Sequence, residues 1–159
     1  MTDERTSAEI PKFALSVRQP WAWAIIYAGK NIENRSWHAH NPAYLDAKRI
    51  KAFCVHAASG MTRAEYQHAA EYITKIHGYC PPAHELLRGG IIGAVELVDI
   101  VRKSHSPWFF GTIGLVLANP VPLTPIPATG QLGFFEWKPS YGHLVEPAKW
   151  MLPKAEAML

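Results

Sequence analysis

The sequence predicts an α+β fold, a small β-barrel with two or three helices packed outside it. Three observations point there. Several apolar runs have strand length and end at turn residues, and two stretches repeat apolar residues at helical spacing. Thirteen prolines and eleven glycines supply frequent breaks between them. A length of 159 residues suits one domain, and 48% apolar against 18% charged residues is too hydrophobic for a disordered chain. A flexible tail is expected over residues 1–12, the folded domain over 13–145, and a C-terminal tail with a short helix over 146–159.

Taken in order, Ala14 to Val17 is a short apolar run that fits a strand. Pro20 suits a first helical turn, where its missing N–H costs nothing. Trp21, Ala24, Ile25 and Ala28 then fall at i, i+3, i+4 and i+7, one apolar face, and Gly29 is the expected stop. Lys30 to Trp37 reads as extended, with Ile32 its apolar member among polar neighbours. AFCVHA, residues 52–57, is a compact strand. Thr62 and Glu65 form a capping-box pattern ahead of Tyr66, Ala69, Ala70, Ile73 and Ile76, and Gly78 ends this helix. Pro81 and Pro82 separate it from a short piece at 84–87. GIIGAVELVDIV, residues 90–101, is apolar on both faces and predicts a central strand buried on both sides. Ile113 to Leu117 and Phe134 to Trp137 are further strands. The segment NPVPLTPIPATGQLG between them is expected to cross the domain irregularly.

Cys54 and Cys80 are too few for a disulfide framework, and neither sits in a Cys-x-x-Cys pair, so a reducing, cytoplasmic setting is expected. No apolar run reaches the roughly 18 residues of a membrane span. The opening MTDERTSAEIPKF is polar and mixed in charge, unlike a signal peptide. Neither a membrane nor a secreted protein is expected. A net charge of +3 permits an anionic partner but is too small for an extended nucleic-acid track.

The most informative stretch is Ser16-Val17-Arg18-Gln19-Pro20-Trp21-Ala22-Trp23, then Gly29-Lys30-Asn31-Ile32-Glu33-Asn34-Arg35-Ser36-Trp37. Further on come Gly89-Gly90-Ile91-Ile92-Gly93 leading into Val95-Glu96-Leu97, then Ser106-Pro107-Trp108-Phe109, then a proline-rich segment ending in Gly130 and Gly133. In these ordered blocks, over about residues 14–137, the chain resembles the ASCH family, a branch of the PUA-like superfamily. The resemblance implies a PUA-like β-barrel, a cleft beside the first helix, and a role linked to RNA through binding or cleavage. One activity within the family removes the acetyl group from N4-acetylcytidine, using a lysine, a threonine and a glutamate. By motif position that lysine matches Lys30 and the glutamate Glu96. The threonine position holds Glu33, a carboxylate that cannot replace a hydroxyl that donates or attacks.

The residues themselves offer the following chemistry. Glu96 has Ala94 and Val98 on its own face, so a carboxylate there must meet a cation, collect hydrogen bonds or keep a proton. A pocket floor satisfies that need; a salt bridge to Lys30, Arg18 or Arg35 is the plain structural alternative. Lys30 starts from the fixed corner after Gly29. Deprotonated among apolar walls it is a base or nucleophile, charged it binds phosphate or a base carbonyl, and otherwise it only neutralises a helix end. Glu33 and Arg35, two apart in an extended segment, share a face. They either pair or take a base amino group and a phosphate. Arg18 and Gln19 are expected to contact a polar ligand at the start of the first helix, whose N-terminus favours an anion. Trp108, with Ser106 beside it, and Trp23, off the apolar helix face, are the preferred surfaces for stacking on a base, while Trp21 is expected in the core. His56 either hydrogen-bonds within the cleft or is structural. His38 and His40 have no third partner, so no metal is expected, and no cofactor motif is present.

The expected function is recognition of RNA, or of a modified nucleobase or nucleotide, in a cleft lined by Lys30, Glu33, Arg35 and Glu96. The alternative is a hydrolase built on the same cleft, an amidohydrolase on N4-acylated cytidine or a metal-independent ribonuclease. In the amidohydrolase version Lys30 activates water or attacks the acyl carbon, and Glu96 passes a proton to the departing amine. A third reading gives the proline-rich segment a protein-interaction role.

Overall fold

The computed structural model describes residues 10–154. Its elements are β1 (Phe13–Val17), α1 (Trp21–Tyr27), β2 (Ile32–Arg35), α2 (Pro42–Ala47), β3 (Ala52–Ala57), α3 (Arg63–His77), β4 (Gly90–Val101), β5 (Ile113–Pro127) and β6 (Phe134–Glu136). Short 3-10 turns lie at Ala83–Glu85 and Lys149–Met151. The strands form one sheet in the order β2-β5-β4-β3-β1-β6, curled into a half-barrel. Only β1 and β3 run parallel. The fold is therefore α+β and barrel-like, with three helices, as expected at that level.

Alternation along the strands fills the concave side with Leu15, Val17, Phe53, Val55, Val95, Leu97, Leu115 and Leu117, and Ile25 and Ile26 of α1 close over them. Gly93 makes that seat possible. A Cβ there would lie 2.5 Å from Ile26 Cδ1 and 2.8 Å from the Val121 carbonyl oxygen. The helix α1 stops where Gly29 takes φ +73°, and the Ala28 and Lys30 amides both donate to the Ala24 carbonyl. On α3 the Thr62–Glu65 capping box forms in full, and Gly78 ends the helix at φ +99°. Ile73 of α3 packs with Ala24, Ala28, Ile32 and Trp108 on the far side of α1.

Three expectations are corrected and one element is added. The proline-rich segment is not irregular: β5 continues to Pro127, pairing Val121 with Ala94 and Pro127 with Gly90. Beyond Val116 the other side of β5 has no strand beside it, because β2 pairs only with Ile113–Val116. On such an edge a proline leaves no ladder hydrogen bond unmade, and three register shifts along β4–β5 absorb the rest. Second, β4 is buried on both sides only over its first half; from Glu96 onward its convex face is bare, and Glu96 and Val98 are exposed. Third, α2 went unforeseen. Its six residues are too few for a periodic pattern, though Asn41 caps it by accepting from the Ala43 amide at 2.8 Å and Pro42 sits at its first position. Fourth, part of the expected N-terminal tail is tied down: the Pro11 carbonyl accepts from Trp137 Nε1 at 2.9 Å, and Lys12 pairs with Glu136. Residues 1–9 of that tail, and 155–159 of the C-terminal one, lie outside the described residues. In the remainder of the latter the short helix is the turn at Lys149–Met151. Among the described residues no helix is long and apolar enough to cross a membrane.

Candidate functional site

The corner at Gly29 turns Lys30 inward, where it is only 3% exposed. Its Nζ donates to the Ile32 carbonyl and to Glu33 Oε1, the latter at 3.2 Å. Glu33 projects to the concave side because it stands opposite Leu115 of the core. Its other oxygen accepts from Arg35 Nε at 3.0 Å, and Arg35 Nη2 in turn donates to the Ser16 carbonyl at 2.8 Å. Burial alone pushes the Glu33 carboxyl up, but Lys30 and Arg35 outweigh it and hold the group below its usual range. Burial lowers Lys30, with Glu33 pulling the other way. The Lys30–Glu33–Arg35 chain thus crosses the opening between β2 and β1 and fixes one guanidinium at the rim.

That rim belongs to a cavity of about 580 Å³. Ser16 and Arg18 reach it from the end of β1, Arg35 from the end of β2, and His56, Ala58 and Ser59 from the end of β3. The loop Ala128–Gly133 and Ser140 complete its wall, and no carboxylate lines it among the described residues. Arg35 spends Nε and Nη2 on the protein, and among the described residues Nη1 has no protein partner. Arg18 is more committed: Nε and Nη2 both reach the Glu65 carboxylate at 2.6 Å. His56 is 1% exposed. Its Nδ1 lies 3.0 Å from Ser16 Oγ and its Nε2 lies 2.7 Å from the Ala128 carbonyl, and burial lowers its pKa against that second bond.

The structure gathers Arg18, Arg35 and His56 around this cavity, with Lys30 and Glu33 directly behind Arg35. The other candidates lie elsewhere. Glu96 points away: its neighbours Val95 and Leu97 fill the concave core, so Glu96 projects from the convex face into a separate groove with Asn119 and Leu123. The shared pocket expected for Lys30 and Glu96 does not exist, and neither does the burial expected for Glu96. Trp108 is 4% exposed, packed against Ile73, and offers no face to a base. Ser106 holds that loop in place, donating to Asn31 Oδ1 at 2.7 Å and accepting from the Trp108 amide at 3.2 Å. Gln19 is buried with both amide ends in use, to the Leu87 carbonyl at 2.8 Å and from the Trp23 amide at 2.9 Å. That second bond, the Ala22 amide's bond to the Arg18 carbonyl and the Ala24 amide's bond to the Pro20 carbonyl occupy three of the first four amides of α1. Trp23 is partly buried, stacks on Tyr27 at 6.0 Å and lines a different groove with Gln19 and Leu87. Trp21 is only partly buried, 5.7 Å from Lys30 Nζ. No three His, Cys, Asp or Glu side chains converge as metal ligands among the described residues.

Sequence reasoning assigned no role to Ser16, Ser59, Thr129 or Gln131, although Ser16 and Gly130 stand in the quoted motif blocks. Ser16 stands in register with His56 across the parallel β1–β3 pair, a pairing invisible until the strands are placed. No protein-family model and no curated protein matches the chain.

Proposed function

We propose that the protein is an ASCH-like domain of PUA-like architecture that binds a single nucleotide, free or at an unpaired position of RNA, in the cavity between the ends of β1, β2 and β3. The observation that carries this reading is the Arg35 guanidinium, held by Glu33 and the Ser16 carbonyl, at the wall of a cavity that no carboxylate among the described residues lines. A fixed guanidinium fork is a phosphate ligand, and charge-assisted hydrogen bonds of this kind are among the stronger ones. A volume of about 580 Å³ is within the range of small-molecule sites and far too small for a duplex. Ser59, Thr129 and Gln131 supply donors and acceptors for base and ribose edges. With Trp108 buried, recognition runs through those edges rather than through stacking. The ordered motif blocks that resemble the ASCH family support the same reading.

Calorimetric titration with the four ribonucleoside monophosphates and with a short single-stranded RNA, at low salt, tests it. At least one monophosphate is expected to bind more tightly than its nucleoside. Arg35→Gln should weaken that binding about tenfold or more, as expected for loss of a hydrogen bond to a charged group. Absence of binding by every monophosphate and by the RNA, with the protein folded, contradicts the proposal.

A further inference from the structure

Ser16 and His56 do more than line this cavity. The Ser16 hydroxyl lies 3.0 Å from His56 Nδ1, and His56 Nε2 lies 2.7 Å from the Ala128 carbonyl oxygen. A carbonyl only accepts, so Nε2 carries the ring proton, Nδ1 presents its lone pair, and the hydroxyl donates to it. A nucleophile, a base within hydrogen-bond reach and a third group that fixes the base's tautomer form the arrangement that activates a serine. Burial lowers the histidine pKa, which keeps the ring in its neutral, basic form. Gly130 packs directly on the pair. A Cβ there would lie 2.7 Å from His56 Cε1 and 3.3 Å from Ser16 Oγ, so the loop approaches the pair without a side chain over the hydroxyl.

We propose that Ser16 and His56 form a catalytic dyad that hydrolyses a carboxylic ester borne by the nucleotide-sized, anionic ligand of this cavity. The substrate class rests on the nucleotide reading above; the dyad itself does not. Ser16 Oγ forms a bond to the ester carbonyl carbon as its proton passes to His56 Nδ1. The resulting imidazolium is held by the Ala128 carbonyl, and Arg35, tied to the Ser16 carbonyl and lining the same cavity, adds positive charge to it. The bond from the carbonyl carbon to the alcohol oxygen breaks, and the departing alkoxide takes the proton from Nδ1. Water then attacks the acyl-serine, giving up a proton to Nδ1, and the Ser16 oxygen leaves and recovers it. The sum is ester plus water to carboxylic acid plus alcohol, with no other reactant.

The experiment is covalent labelling of the full chain with a fluorophosphonate, read by intact mass and peptide mapping. The expected result is one adduct, on Ser16, absent in Ser16→Ala and formed at least about 100-fold more slowly in His56→Gln, the loss typical of a missing general base. Because His56 is buried and its variant can fail to fold, a second measurement uses the unaltered protein: mixing with p-nitrophenyl acetate should leave an acetyl group on Ser16. Absence of any adduct on Ser16 with both reagents, or equal labelling of a folded His56→Gln, overturns the dyad. Slowing of the labelling by a ribonucleoside monophosphate supports the stated substrate class. Labelling that no monophosphate slows leaves the dyad standing and overturns its nucleotide substrate.

Discussion

Glu33 is the residue on which the rim depends. One carboxylate serves Lys30 on one oxygen and Arg35 on the other, nearly out of contact with water. Removing one member of such a buried set leaves the others facing apolar surroundings uncompensated. Glu33→Gln should therefore lower the stability by about 3–5 kcal/mol in urea unfolding. A loss below about 1 kcal/mol, the range of surface pairs, would contradict the burial described. The exposed Arg18–Glu65 pair behaves differently. Its hydrogen bonds from Arg18 bring the Glu65 carboxyl from 4.5 to about 2. A carboxyl lowered on folding stabilises the protein above its unfolded value and loses that contribution as pH falls through the folded one. Arg18→Gln should accordingly be less stable than the wild type by at most about 1 kcal/mol near neutrality, since both partners are half in water. That gap should close as pH drops from about 4.5 to about 2. Unfolding curves at several pH values check it, and a gap that widens in acid contradicts it. The shared face of Glu33 and Arg35 was legible in the sequence, because two-residue spacing in an extended segment fixes it. The position of Glu96 was not. Sequence shows which residues flank a carboxylate along the strand, but not whether a second layer covers the face it projects from.

At the scale of elements, the close seating of α1 on β4 turns on Gly93. Gly93→Ala forces Ile26 and the β5 backbone aside and should cost about 1–3 kcal/mol, the usual range for overpacking. Thr62→Ala removes the cap of α3 and should cost about 1 kcal/mol. Urea midpoints measure both, and a neutral Gly93→Ala contradicts the close approach of helix and strand. The helix α3 was readable end to end, because capping box, apolar spacing and terminal glycine all act within the segment itself. The same holds for β3 and for the extent of β4. By contrast, the apolar pattern of β5 stops at Leu117, whereas the strand continues to Pro127. Proline forbids a central strand but not an edge strand, and edge status is set by the length of β2, a distant segment.

For the molecule as a whole, curling brings the ends of β1, β2 and β3 together although they lie up to forty residues apart along the chain. The open seam of the half-barrel is spanned by the Arg35 bond to Ser16, so the groups that complete the architecture also line the cavity. Binding through one phosphate should show a shallow salt dependence, with a log–log slope of about −1 or smaller in magnitude. A slope several times steeper would indicate an extended phosphate track instead. No arithmetic of composition located this cavity; the small net charge favoured a focused pocket, and pairing between strands decided where it lies.

The most direct measurement maps amide chemical-shift changes by nuclear magnetic resonance as each of the four ribonucleoside monophosphates in turn is added to the isotopically labelled chain. The predicted result is a saturating set of shifts confined to Ser16, Arg35, Ser59 and the Thr129–Gly133 loop, with Glu96 and Val98 unmoved. Shifts centred on the convex face around Glu96 and Leu123, or none at saturating ligand, would contradict a nucleotide site at the Arg35 rim.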